Sequence, residues 1–194
     1  MQVVISIVLV LAAASMAGAG PLDSPGAMKA LNCSACHGFA GQSPGDTTPI
    51  LAGLWPEYFK KAIADYASGK RPSTEMEPYA KQVIQLGVDD YAAYFGSLKR
   101  EPTKMPVDSS AAGRGRAAAV QCVGCHGSDG QGDRSKLAPA LAGQPPGYLK
   151  NQLMLFKQDR RSPGDPALKA PKAMIQGLSD STIDDLAAYY ASLR

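Results

Sequence analysis

Every cysteine and every histidine of the 194-residue chain falls within two copies of one five-residue string, Cys33-Ser34-Ala35-Cys36-His37 and Cys122-Val123-Gly124-Cys125-His126. Cys-x-x-Cys-His is the attachment sequence of a c-type haem. Two thiols one helical turn apart add to the vinyl groups of the porphyrin, and the adjacent imidazole becomes the proximal ligand of the iron. The chain must therefore fold around two large flat groups. Other uses of these residues explain less. Structural zinc draws four thiolates and imidazoles together, usually from two pairs close in sequence. Here the pairs lie 89 residues apart, and each is followed at once by histidine. A redox dithiol sits at a strand-to-helix junction, and nothing around Cys33 or Cys122 reads as a strand. Disulfides suit an exported chain but give no reason for the histidines. With both imidazoles committed to iron, a histidine-based catalytic triad is excluded.

The amino-terminal residues 1–19 read as a secretory signal peptide. An apolar run from Val3 to Ala14, broken only by Ser6, is followed by small residues, and Ala17-Gly18-Ala19 fits the Ala-x-Ala cleavage pattern. No basic residue precedes the run, so the free amino terminus must supply the positive charge. A membrane span needs about 20 apolar residues, and the run is shorter. Periplasmic location is the expectation. Twenty basic and 17 acidic residues leave a net charge of +3, a mild bias toward an acidic partner. No basic cluster interleaved with aromatics points to nucleic acid.

The remainder is written twice. The haem strings align at an offset of 89. Pro49-Ile50-Leu51-Ala52-Gly53 then aligns with Pro139-Ala140-Leu141-Ala142-Gly143 at an offset of 90. Tyr58, Lys60 and Arg71 match Tyr148, Lys150 and Arg161 in the same register. Tyr91-Ala92-Ala93-Tyr94-Phe95 recurs as Leu186-Ala187-Ala188-Tyr189-Tyr190. Such ordered self-similarity marks a duplication. It divides the chain into a first domain, 22–98, a proline-bearing linker, 99–112, and a second domain, 113–194.

Both halves read as all-α. Ala-rich stretches, 26–36 and 113–125, lead into the haem strings. Segments 56–68 and 146–158 open on proline, which the first helical turn accepts. Tyr58, Phe59, Ala62, Ile63 and Tyr66 recur at three- and four-residue spacing, as do Tyr148, Leu149, Leu153 and Phe156. Final helices are expected over 87–98 and 181–193, the latter capped by Ser179 or Ser181. At this size each half has a thin core of its own, which a covalently held haem would fill.

This order of parts resembles class I cytochromes c, and its duplication resembles the dihaem cytochrome c4 family. The resemblance spans essentially the whole chain after the leader. It implies two tandem class I cytochrome c domains, each wrapped around one covalently bound haem c. It also implies that the carbonyls of Pro49 and Pro139 accept the proton of His37 and His126. Such a bond fixes the ring and makes the ligand more basic. Family members complete the iron with a methionine thioether from the loop before the last helix. Met76, 15 residues before Tyr91-Ala92-Ala93-Tyr94, has that spacing. In the second half the aligned residues are Pro171 or Pro166, and neither can bind iron. Met174 is the nearest sulfur; its alternatives are a packing role like that of Ile84, ligation by Lys169 or Lys172, or an open iron. Met154 falls inside the middle helix and reads as packing.

The function this implies is a periplasmic carrier of single electrons between a donor dehydrogenase or quinol-oxidising complex and a terminal acceptor. Its partners would be redox proteins, with peripheral membrane association only through a partner. Two alternatives stand beside it. One is the cytochrome subunit of a redox enzyme such as a sulfide dehydrogenase, and the other is a haem enzyme with an open second iron.

Overall fold

The computed structural model describes Ser24 and residues 26–194; the leader expected at 1–19 lies outside the described residues. The first half comprises α1 (Ala27–His37), α2 (Pro56–Ala67), α3 (Met76–Leu86) and α4 (Val88–Ser97). The second comprises α5 (Ser109–Ala118), α6 (Val123–His126), α7 (Pro146–Lys157), α8 (Lys169–Gln176) and α9 (Asp180–Ser192). Among the described residues the sole β feature is an isolated bridge between Asp133 and Ala138.

The helices follow from local chemistry. Pro56 and Pro146 sit in the first turns of α2 and α7, where a missing N–H costs nothing. The Ser179 hydroxyl accepts from Thr182 N at 3.0 Å and opens α9. Asp108 accepts from Ser110 N and Ala111 N, so α5 begins at Ser109. That is four residues before the expected start at 113, and the last turn's worth of the expected linker is helical. The helix then passes through a 3₁₀ segment, Ala119–Cys122, before α6. Two further helices differ from expectation. The stretches holding Met76 and Met174 were expected as loops, yet each is helical. Ala80 and Val83 face inward on α3, as do Lys172 and Ile175 on α8.

Within each half the first and last helices cross at a glycine. A Cβ on Gly26 would lie 2.2 Å from the carbonyl oxygen of Asp90, and one on Gly115 would lie 1.9 Å from that of Asp185. The loop behind each haem string is pinned in the same way twice. Gly41 O accepts from Leu51 N at 2.9 Å, and Gly130 O from Leu141 N at 2.8 Å. Gly53 N donates to Phe95 O, and Gly143 N to Tyr190 O, each at 2.8 Å. Gly53 and Gly143 hold positive φ, 71° and 67°, a conformation that glycine adopts without strain.

The halves differ in their cores. Tyr58, Phe59, Ile63, Tyr91 and Phe95 anchor a large buried cluster in the first. The second is smaller, built on Leu149, Leu186, Ala187 and Tyr190, with many half-buried apolar neighbours.

A polar seam joins the halves. Gln144 makes two hydrogen bonds to the peptide of Ile50, accepting from its N and donating to its O, both at 2.9 Å. Asp46 of the first half caps α7 of the second, accepting from Gly147 N at 2.8 Å. Arg134 forms a bidentate pair with Glu57. The linker is stitched in, with Thr103 N donating to Gly143 O at 2.7 Å and Gln42 Nε2 to Lys99 O at 2.7 Å.

Candidate haem sites

Cys33 and Cys36 stand one turn apart on the last turns of α1, and His37 ends it. Gly38, at φ 72°, turns the chain away immediately afterwards. The second site repeats this with different helix geometry. Cys122 closes the 3₁₀ segment, Cys125 and His126 lie on α6, and Gly127 turns at φ 75°. None of the four sulfurs is used in a disulfide. Cys33 and Cys122 are half-buried against the first and second cores, whereas Cys36 and Cys125 are exposed. Burial, with Cys36 beside it, pushes the Cys33 thiol up to about 11. No group of three or more histidine, cysteine or acidic side chains that could hold a bare metal ion occurs among the described residues.

The two imidazoles are held alike. His37, 5 % exposed, donates from Nδ1 to Pro49 O at 2.8 Å. His126 donates from Nδ1 to Pro139 O at 2.9 Å. A carbonyl can only accept, so each ring carries its proton on Nδ1 and keeps a lone pair on Nε2. Burial lowers both imidazole pKa values, and the proline carbonyls oppose that shift. The result is a neutral ring with a fixed tautomer, as an iron ligand requires. Free thiols at the right spacing beside an oriented imidazole fit a covalently attached haem in both halves.

On the distal side the halves part. Met76 is the first residue of α3, half-buried against the first core, with its N–H bonded to Ser73 Oγ at 3.1 Å. Pro166, its counterpart counted from the haem string, opens a 3₁₀ turn capped by Asp165. Met174 is half-buried on α8. Lys172 is committed elsewhere, with Nζ bonded to Asp159 Oδ1 at 2.7 Å and to the carbonyl of Ser162. Lys169 is exposed. Met154 lies within α7. The close helix crossings at Gly26 and Gly115 were missed from sequence, although the two glycines stand 89 residues apart, in the register of the haem strings.

An all-helical chain with two such thiol-thiol-imidazole sites, each imidazole braced by a proline carbonyl, is a dihaem cytochrome of the c type. A family model described as cytochrome c matches residues 110–194. Cytochrome c4 of Pseudomonas aeruginosa is 31 % identical over 199 aligned positions, covering 99 % of this chain and 98 % of that protein. The crystal structure of reduced recombinant cytochrome c4 from Pseudomonas stutzeri superposes with a TM-score of 0.74 at 29 % identity, covering 87 % of this chain and 97 % of the other. A thiosulfate dehydrogenase electron acceptor of Thiomonas intermedia is 34 % identical, over 71 % of this chain and 68 % of the relative. The chain belongs to the cytochrome c4 family. It is an electron-carrier cytochrome with two covalently bound haem c groups, and its partners are redox proteins. Among the described residues no helix is long and apolar enough to cross a membrane.

Proposed function

We propose that the chain works in the periplasm after loss of residues 1–19, passing single electrons from a dehydrogenase or quinol-oxidising complex to a terminal acceptor. Cys33 and Cys36 would hold one haem, with His37 and Met76 as the ligands to its iron. Cys122 and Cys125 would hold the other, with His126 and Met174. Residues 22–98 and 113–194 form the two haem domains, joined by 99–112. The observation that carries this reading is the same imidazole-to-proline bond made twice, at 2.8 and 2.9 Å.

When bound, each haem supplies reversible one-electron storage, and the protein supplies ligands, orientation and a low-dielectric setting. His37 and His126 are held as neutral donors by Pro49 and Pro139. A thioether is a soft neutral ligand that favours the reduced iron, so methionine ligation raises the potential. Met76 sits on the inward face of α3 with Ala80 and Val83, at helical spacing.

The test is haem stoichiometry and axial spectroscopy on the exported protein. The pair Cys33→Ala/Cys36→Ala should retain one haem, and so should Cys122→Ala/Cys125→Ala; two haems surviving either change would refute the attachment sites. Met174→Ala should convert one low-spin haem to a form that binds carbon monoxide. A parent protein that already binds carbon monoxide, unchanged by Met174→Ala, would remove Met174 as ligand and favour an open second iron.

The similarity to a thiosulfate dehydrogenase electron acceptor favours a second reading, in which the donor is a thiosulfate-oxidising enzyme. Rapid reduction by such an enzyme with thiosulfate, and none by thiosulfate alone, would support it. Reduction at the slow rate of thiosulfate alone would discard it.

A further inference from the structure

The two halves seat an aromatic ring in the same slot, and only one of the two rings carries a hydroxyl. Phe95 stands on α4 and Tyr190 at the matching place on α9, 1 % and 3 % exposed. Gly53 N bonds the Phe95 carbonyl and Gly143 N the Tyr190 carbonyl, each at 2.8 Å. A Cβ on Gly41 would lie 2.9 Å from Cδ1 of Phe95, and one on Gly130 would lie 3.1 Å from Cδ1 of Tyr190. Glycine at these two places lets the loop behind each haem string press on the ring, which leaves it little room to swing. On another side Tyr94 packs against Phe95 with centroids 5.0 Å apart, and Tyr189 against Tyr190 at 5.1 Å.

The hydroxyl is the difference. It is buried and makes no aligned hydrogen bond among the described residues. A buried donor left unpaired is destabilising, and native proteins retain few of them. The sulfur of Cys122, packed against the same small core, lies beside it. Burial pushes the Cys122 thiol up, and the tyrosine hydroxyl draws it back. Tyr190 is raised in turn, first by burial and then by Cys122. Cys33 has no such donor. Tyr91 and Tyr94 are raised by burial and then by Cys33, yet Cys33 itself responds to burial and to Cys36.

We propose that the Tyr190 hydroxyl donates to the Cys122 sulfur once that sulfur carries the second haem, and that this bond, which Phe95 cannot make in the first half, raises the potential of the iron held by His126. The inference rests on haem attachment through Cys122. Attachment turns the thiol into a thioether, which keeps its lone pairs and has no proton of its own. The hydroxyl is then the sole donor between the two atoms. A donor on that sulfur draws electron density from the edge of the porphyrin. Less density on the macrocycle favours the reduced iron, so the bond raises the potential; hydrogen bonding beyond the axial ligands is one of the levers a protein holds over a haem. Tyr190 acts through Cys122 and is a positioning residue, so its readout is the potential of one haem. Two haems with like proximal sides are thereby set apart by a single oxygen atom, whatever completes each iron.

The test is spectroelectrochemistry on the full dihaem protein, with the haems told apart by the paramagnetic shifts of the Cys33 and Cys122 β-protons. Tyr190→Phe installs the ring that the first half already carries in this slot. A net hydrogen bond is worth roughly two- to tenfold in an equilibrium, and the potential reads the part that differs between oxidation states. The oxidised-to-reduced ratio of the second haem should therefore rise by about threefold at a fixed ambient potential, equivalent to about 28 mV for one electron. The first haem should stay where it was. A rise below about twofold, a fall, or an equal shift in the first haem would overturn the proposal; a hydroxyl that only fills space gives the first of these. Where Tyr190→Phe carries fewer haems, the unsubstituted protein decides. In its reduced, diamagnetic form the Tyr190 hydroxyl proton should exchange slowly with water and show a nuclear Overhauser contact to the Cys122 β-protons. Absence of that contact would overturn the bond. Haem counting separates the two ideas. Fewer than two haems on the parent chain sinks the attachment sites and the bond with them, whereas two haems with an unmoved second potential sink the bond alone.

Discussion

Gln144→Leu tests how firmly the two halves are joined. The Gln144 side chain is 3 % exposed and Ile50 is 1 % exposed, so neither peptide group of Ile50 has water as a substitute partner. Both bonds are 2.9 Å. Leucine has nearly the volume of glutamine, so the change opens no cavity and isolates the polar loss. Orphaning a buried N–H and a buried C=O costs about 1–3 kcal/mol each, and relief from burying the amide itself returns about 1–3 kcal/mol. A net destabilisation of about 1–3 kcal/mol remains. For a chain of this size each kcal/mol moves the melting temperature by about 2–4 °C, so the midpoint should fall by roughly 2–12 °C. The assay is thermal unfolding of the oxidised protein, followed in parallel by far-ultraviolet and Soret circular dichroism. Ile50 adjoins Pro49, whose carbonyl holds His37, so the haem at His37 should lose its Soret signature first. Gln144→Glu keeps an acceptor for the Ile50 N–H but sets a carboxylate against the Ile50 carbonyl, and at neutral pH it should be at least as damaging as leucine. A Gln144→Leu midpoint within about 1 °C of the parent would refute the reasoning.

Three further outcomes are expected. Gly115→Ala drives a methyl into the carbonyl of Asp185 and should cost at least the 1–3 kcal/mol typical of overpacking, read as a lower denaturant midpoint; an unchanged midpoint would mean that α5 and α9 do not cross there. Ser179→Ala removes the cap of α9 and should cost about 1 kcal/mol in the same assay. Asp133 is held down at about 2 from 3.8 by the Ser135 hydroxyl and then by Lys136. Its contribution is therefore complete above 3.8 and disappears as pH falls toward 2. Asp133→Asn should make the acid limb of a stability-against-pH curve shallower in that window, and an unaltered limb would contradict this.

What the sequence made legible was whatever each half repeats. The haem strings, the Pro-x-Leu-Ala-Gly loops and the apolar spacing of α2 and α7 are local patterns, and local patterns survive duplication. The α3 and α8 helices escaped because Glu75, Glu77 and Pro78 in one, and Lys169, Pro171 and Lys172 in the other, disguise short apolar faces as polar loops. The seam escaped for the opposite reason. Gln144 stands where the first half has Leu54, and its target Ile50 stands where the second half has Ala140. A contact between copies breaks the repeat rather than obeying it, so no alignment of the halves reveals it. The matching of Arg71 with Arg161 was visible, but not that they bond Tyr148 and Tyr58, each in the other half.

The seam also sets an order of assembly. The chain is made from its amino end, so Ile50 and Tyr58 exist well before Gln144 and Arg161. The bonds that complete them span 94 and 103 residues, and contacts of such separation form late. Until the second copy arrives, the Ile50 peptide beside Pro49 is left to water, and the first half stays open at the loop that orients His37. The first haem can thus be attached to a half that is still loose, and docking of the second half then closes it, which makes the later copy the final step in folding the earlier one.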